Sequence, residues 1–180
     1  VQGTVGIAEA CLTQGVGRLV YVSSVASLYT GEEGSRIADS PAVDPRPAAR
    51  SAYARGKAET ELALQALHRE RGLPVVVLRP GVVIGEGTPM QHSGLGMWAR
   101  DNHCVGWGAG EHPLPLVWVD DVADAVLAAT LREEPDLHGQ ALNLCAKPPL
   151  CAREVVAELR AATGRDLHFH PRSLLLSQLM

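Results

Sequence analysis

The sequence predicts an α/β fold built on a mostly parallel sheet. Two apolar, β-branched runs, RLVYVSS at 18–24 and PVVVL at 74–78, read as strands buried on both faces. Segments of helical period alternate with such runs along the chain, and several close on glycine.

In order, residues 2–14 place Val5, Ile7, Ala8, Cys11 and Leu12 at roughly helical spacing and stop at Gly15 and Gly17. After the strand at 18–24, residues 25–50 are rich in Gly, Pro, Ser and Asp and read as a long loop of the kind that carries function. Ser51 to Arg71 is a helix with Ala58, Leu62 and Ala66 on its apolar stripe, ended by Gly72. The strand at 74–78 is stopped by Arg79-Pro80-Gly81, and 85–96 is glycine-rich and irregular. Residues 97–101 are expected to be helical, and 103–107 and 114–119 to be strands. Asp120 to Leu131 is a helix with acidic residues in its first turn, where the helix dipole favours them and where they serve as caps. A strand at 141–145, a helix at 151–163 and an edge strand at 167–170 follow, then an apolar tail from Pro171.

Composition narrows the function. Of 180 residues, 46% are apolar, too many for a disordered chain. A net charge of −4 offers no basic footprint for nucleic acid, and no apolar run approaches the ~20 residues that span a bilayer. Cys11, Cys104, Cys145 and Cys151 lie far apart, as expected of reduced thiols in a cytoplasmic protein. His168 and His170 alternate on one strand without a third ligand, so no metal site is expected. Among the tryptophans, Trp118 is expected in the core and Trp107, between Gly106 and Gly108, in a pocket. Near-exclusive use of Arg over Lys suggests a GC-rich bacterial genome.

The candidate chemistry sits in SAYARGKAETE. Tyr53 and Lys57, four residues apart, share one helix face. A neighbouring ammonium favours the phenolate form of a tyrosine, which can then exchange a proton with a carbonyl or alcohol oxygen. Ligands of open α/β sheets bind at the carboxyl ends of strands. Ser23-Ser24 ends one strand, Arg79-Pro80-Gly81 ends the next, and the Tyr53–Lys57 helix connects them. A serine hydroxyl there can hold the same substrate oxygen. These side chains lack a redox agent, so the hydride must come from a nicotinamide cofactor.

Four segments in order, VQGTVGIAEACLTQGVGRLVYVSS, SAYARGKAETE, LRPGVVIGEG and LVWVDDVADAVLAA, resemble the extended branch of the short-chain dehydrogenase/reductase superfamily, with its epimerases, dehydratases and ketoreductases. The resemblance implies a Rossmann-like doubly wound sheet from 1–85 and 113–146, with a substrate-facing lobe from 86–112 and 147–180. It implies Tyr53 as general acid/base, Lys57 as the residue that tunes it and binds the nicotinamide ribose, and Ser24 as the residue that orients the substrate. Ser23 and Ser27 stand as alternates in that serine run. Pro80, Gly81, Val82 and Val83 would lie against the nicotinamide of NAD or NADP. Gly56 replaces a Ser and Glu86 a Pro that the family often has. The glycine-rich phosphate loop does not occur, and its place would precede Val1. The chain therefore reads as a piece lacking half the dinucleotide site, expected to bind NAD(P) weakly or not at all by itself.

The implied reaction is hydride transfer at a secondary alcohol or ketone of a small molecule or nucleotide sugar, by a homodimer packed through 2–14 and 51–71. A diphosphate would need arginines. Arg100, Lys147, Arg153, Arg160, Arg165 and Arg172 are the lobe's cations, with no clustered pair evident. A non-catalytic NAD(P)-binding sensor or scaffold of the same fold, or an inactive fragment, are the rival readings.

Overall fold

A computed structural model describes residues 1–28, 42–89, 91, 94–132, 137–147 and 149–172. Residues 29–41 of the expected loop and the apolar tail from 173 lie outside them. The elements run α1 (Gln2–Gln14), β1 (Leu19–Val22), a 3-10 turn (Val25–Ser27), a second (Pro47–Ala49), α2 (Ala52–Arg71), β2 (Val75–Pro80), β3 (Val82–Ile84), β4 (Gly96–Ala99), β5 (His103–Gly106), β6 (Leu116–Trp118), α3 (Val119–Leu131), β7 (Ala141–Leu144), α4 (Ala152–Thr163) and β8 (His168–His170). They form two compact units, 1–81 with 119–144 and 82–118 with 145–180.

In the first unit β1, β2 and β7 form a parallel sheet in the order β1-β2-β7, with Leu19 opposite Val75 and Val77 opposite Ala141. All six residues of β2 are buried. Strand side chains alternate between faces, so this one strand feeds two cores. Val75 and Val77 pack with Ala8 of α1, Leu64 of α2 and Leu73. Val76 and Leu78 pack with Ala129 of α3, flanked by Ala125 and Val126. That two-sided burial is why β2 reads as an unbroken apolar run, and it makes the fold doubly wound. The Ser51 hydroxyl caps α2 by accepting from the Ala54 amide at 3.3 Å. Gly72 ends it in the left-handed region at φ 71, its amide returning to His68 O.

β2 continues two residues beyond the strand expected from sequence. Arg79 interrupts the apolar run but not the strand, because a buried carboxylate neutralises it there, as described below. Pairing ends where the Gly81 amide donates to Leu144 O.

The second unit holds a two-stranded parallel sheet, β3-β6, and a three-stranded sheet, β4-β5-β8. β4 runs antiparallel to β5, and β8 pairs parallel to it. Residues 97–101, expected to be helical, instead form most of β4 and a turn in which Arg100 (φ 51) and Asp101 (φ 61) are left-handed. Gly96 explains the change: a Cβ there would stand 2.4 Å from Val105 O, so its absence lets the two strands close. Leu95, Cys104, Ala152, Val156 and Leu167 form this unit's core.

Candidate active site

Parallel strands β1 and β2, joined through α2, bring their carboxyl ends together in the first unit. Past Val22 the Ser23 amide still donates to Leu78 O at 2.7 Å. The chain then turns into the first 3-10 segment, where Ser24 Oγ accepts from the Ala26 amide at 3.2 Å. The return of the loop is fixed by buried Asp44, which accepts from the Arg46 amide at 2.8 Å and faces Arg50 at 3.6 Å.

Tyr53 lies in the first turn of α2 and is 60% exposed. Lys57 follows one turn later. Its ammonium donates to Val22 O at 2.9 Å and lies 5.3 Å from the centre of the Tyr21 ring and 5.9 Å from that of Tyr53. Lys57 is thus anchored to the end of β1 and sits beside two phenols. No hydrogen bond joins Ser24 to Tyr53 among the described residues.

One further turn along the same face lies Glu61, fully buried. Its Oε2 accepts from Arg79 Nε at 2.8 Å and from a second guanidinium nitrogen at 2.6 Å. Its Oε1 accepts from Ser27 at 2.5 Å and from Ser23. Arg79 is 1% exposed. Buried charges are tolerated when paired and hydrogen-bonded, and this network ties α2, the end of β2 and the serine loop together. It commits Ser23 and Ser27 to Glu61, whereas among the described residues the Ser24 hydroxyl accepts from the Ala26 amide. Sequence reasoning missed Glu61, Arg79 and Tyr21. The available signal for Glu61 was its spacing of four from Lys57.

Burial holds the Tyr21 phenol above its ordinary pKa, and the Glu61 carboxylate and Tyr53 push the same way, against hydrogen bonds with Thr60 and Ser23. Tyr21 is therefore a neutral phenol near pH 7.

Of the expected cofactor-facing residues, Pro80 and Gly81 close β2 in the first unit, while Val82 and Val83 open β3 in the second. The Val82 amide donates to Pro115 O at 2.7 Å, so the Gly81 and Val82 amides are both used within the protein.

The second unit holds two concavities. An open cleft of about 600 Å³ is lined by Arg153, Arg160, Arg165, Asp166 and Phe169. The structure thus clusters three arginines that show no clustering in sequence, with Arg160 3.8 Å from Asp166. A smaller cavity of about 190 Å³ has apolar walls that include Trp118. Trp118, expected in the core, is 55% exposed, and Trp107 lines neither concavity. Gly106, beside Trp107, serves another purpose: a Cβ there would meet the Phe169 ring at 2.1 Å. His103 joins His168 and His170, with His103 Nδ1 2.8 Å from His170 Nε2. No group of three or more ligating side chains among the described residues is placed to hold a metal. No helix among them is long and apolar enough to cross a membrane.

A parallel sheet covered on both faces by helices, with candidate polar groups at its carboxyl edge, defines the class as Rossmann-like. Residues 1–145 match the model of the NAD dependent epimerase/dehydratase family, and the chain belongs to that family. It is 24% identical over 164 residues to a UDP-glucose 4-epimerase of Vibrio cholerae, covering 91% of this chain and 48% of the relative. It is 28% identical over 166 residues to a 2-alkyl-3-oxoalkanoate reductase of Stenotrophomonas maltophilia, covering 91% and 50%. The structure superposes with a TM-score of 0.73 on a Bacillus cereus UDP-glucuronic acid 4-epimerase solved with UDP-glucuronic acid and NAD, at 19% identity and 95% and 54% coverage. The chain spans about half the length of the curated relatives it matches.

Proposed function

We propose that the protein is an NAD- or NADP-dependent oxidoreductase or epimerase acting at a secondary alcohol or ketone of a small molecule. The observation that carries this reading is the placement of Lys57, pinned to Val22 O and lying alongside Tyr53 at the carboxyl edge of the sheet. When bound, the dinucleotide supplies or accepts the hydride. Tyr53 gives a proton to the carbonyl oxygen as the carbon is reduced, or takes one from the alcohol in reverse. Of Ser23, Ser24 and Ser27, Ser24 is the one with a hydroxyl proton not committed to Glu61, and it holds that oxygen by donating to it. Lys57 uses one N–H on Val22 O, and its other two suit a pair of ribose hydroxyls. Pro80, Gly81, Val82 and Val83 offer apolar contact to the nicotinamide, their Gly81 and Val82 amides being occupied.

The protein works in the bacterial cytoplasm as a homodimer in this reading. α1 and α2 share one face of the sheet and leave Ile7 and Leu62 exposed, 58% and 44%. The test of the catalytic assignment is nicotinamide absorbance during turnover by the protein as its gene encodes it. Replacing Tyr53 by Phe should lower kcat at least ~100-fold, the lower end of a general acid/base contribution. An unchanged rate would remove Tyr53 from the chemistry, and dinucleotide binding without turnover in the parent would favour a non-catalytic sensor.

A further inference from the structure

The smaller cavity in the second unit has an apolar wall. Val82, Ile84, Leu95, Leu116, Val155 and Leu159 supply much of it, and among the described residues no charged side chain lines it. The Thr88 hydroxyl and the Trp118 indole are the polar side-chain groups present. Val82, which follows Gly81 in the sequence, is one of the lining residues.

Helix α4 separates this cavity from the arginine cleft. Val155 and Leu159, four residues apart, face the apolar space, while Arg153, Val156, Ala157 and Arg160 face the cleft. None of Arg100, Lys147, Arg153, Arg160, Arg165 or Arg172 lines the cavity. A diphosphate buried there would meet no cation among the described residues, and burying an unpaired charge is prohibitive. Size points the same way. An engineered apolar cavity of about 150 Å³ stays dry and takes benzene. About 190 Å³ therefore suits one ring or a short alkyl chain.

We infer that this cavity binds the alkyl or alicyclic portion of a hydrophobic ketone or alcohol, and that the substrate is of that class rather than a nucleotide sugar. The term substrate rests on the oxidoreductase reading above, whereas the binding site does not.

The experiment is calorimetric titration of the protein as its gene encodes it with straight-chain methyl ketones, from butanone to decanone, and with UDP-glucose for comparison. Affinity should rise about fourfold for each added methylene while the cavity fills, then level off. Ile84→Trp on β3 and Leu159→Trp on α4 narrow the cavity, and each should weaken octanone binding at least ~10-fold. Circular dichroism checks that each variant is folded. Arg153→Ala, on the far side of α4, should leave octanone binding unchanged. The inference is overturned if wild-type affinity does not depend on chain length, or if folded variants keep that dependence. It is also overturned if the same variants abolish UDP-glucose binding. If both variants unfold, the wild-type length series decides. Length-dependent binding without nicotinamide turnover would leave the pocket standing and remove the proposed reaction. Turnover of methyl ketones indifferent to chain length would do the reverse.

Discussion

At the residue scale, Glu61 and Arg79 define how the candidate site is held. Both side chains are almost wholly buried, at 2% and 0% exposure for Arg79 and Glu61. Removing one partner strands the other charge without water, which typically costs about 3–5 kcal/mol. Glu61→Ala should therefore lower unfolding stability in denaturant by that order, and Glu61→Leu combined with Arg79→Met should recover much of the loss. A single substitution costing under ~1 kcal/mol would contradict the network. The pair shows where sequence reading stops. Tyr53 and Lys57 are legible because their spacing is local, one turn on one helix. Glu61 follows in the same register, but a glutamate in an acidic helical stretch reads as solvent-facing. Its partner comes from the end of a strand 18 residues away, a pairing that exists only once α2 packs across the sheet. The reverse holds for Trp118, whose apolar neighbours in sequence hide an exposed ring on a cavity wall.

At the element scale, strands buried on both faces were the most legible features, since β2 must be apolar at every position to feed two cores. The short strands β3 and β4 were not. Each has only three or four residues, and pairing rather than pattern makes it a strand. β4 depends on the close approach that Gly96 permits, and β3 on its register with β6. Cys104 at the centre of β5 has no exposure, and burial pushes its thiol from 9.0 up to about 11. The native state therefore holds this proton more tightly than the unfolded state. That contribution to stability is fully present below pH 9 and is lost as pH rises from 9 towards about 11. The thermal midpoint should fall over this window, and Cys104→Ala should flatten that part of the decline. An equal decline in the variant would place its origin elsewhere. At neutral pH this thiol should also be the slowest of the four to alkylate, as read by peptide mass spectrometry.

At the scale of the whole molecule, α1 and α2 cover one face of the sheet and α3 the other, while Ile7 and Leu62 remain exposed on the first pair. In the homodimer reading those two side chains lie at the interface, so Ile7→Glu with Leu62→Glu should convert a dimer to a monomer in light scattering. A parent protein that already scatters as a monomer would refute that reading. The family resemblance puts the core at 1–85 and 113–146, whereas the two compact units are 1–81 with 119–144 and 82–118 with 145–180. The separation of apolar and arginine-lined concavities by α4 was not foreseeable, because it depends on which face of one helix each residue occupies. The central claim is that Tyr53, rather than any other phenol near Lys57, moves the proton. Tyr21 provides the internal comparison, because its ring lies 5.3 Å from the Lys57 ammonium, against 5.9 Å for Tyr53, and burial raises its pKa. The most direct test is kcat for nicotinamide-linked turnover in Tyr53→Phe and Tyr21→Phe, measured side by side. Tyr53→Phe should lose at least ~100-fold and Tyr21→Phe less than ~10-fold. Full activity in Tyr53→Phe, or collapse in Tyr21→Phe alone, would contradict the Tyr53 assignment.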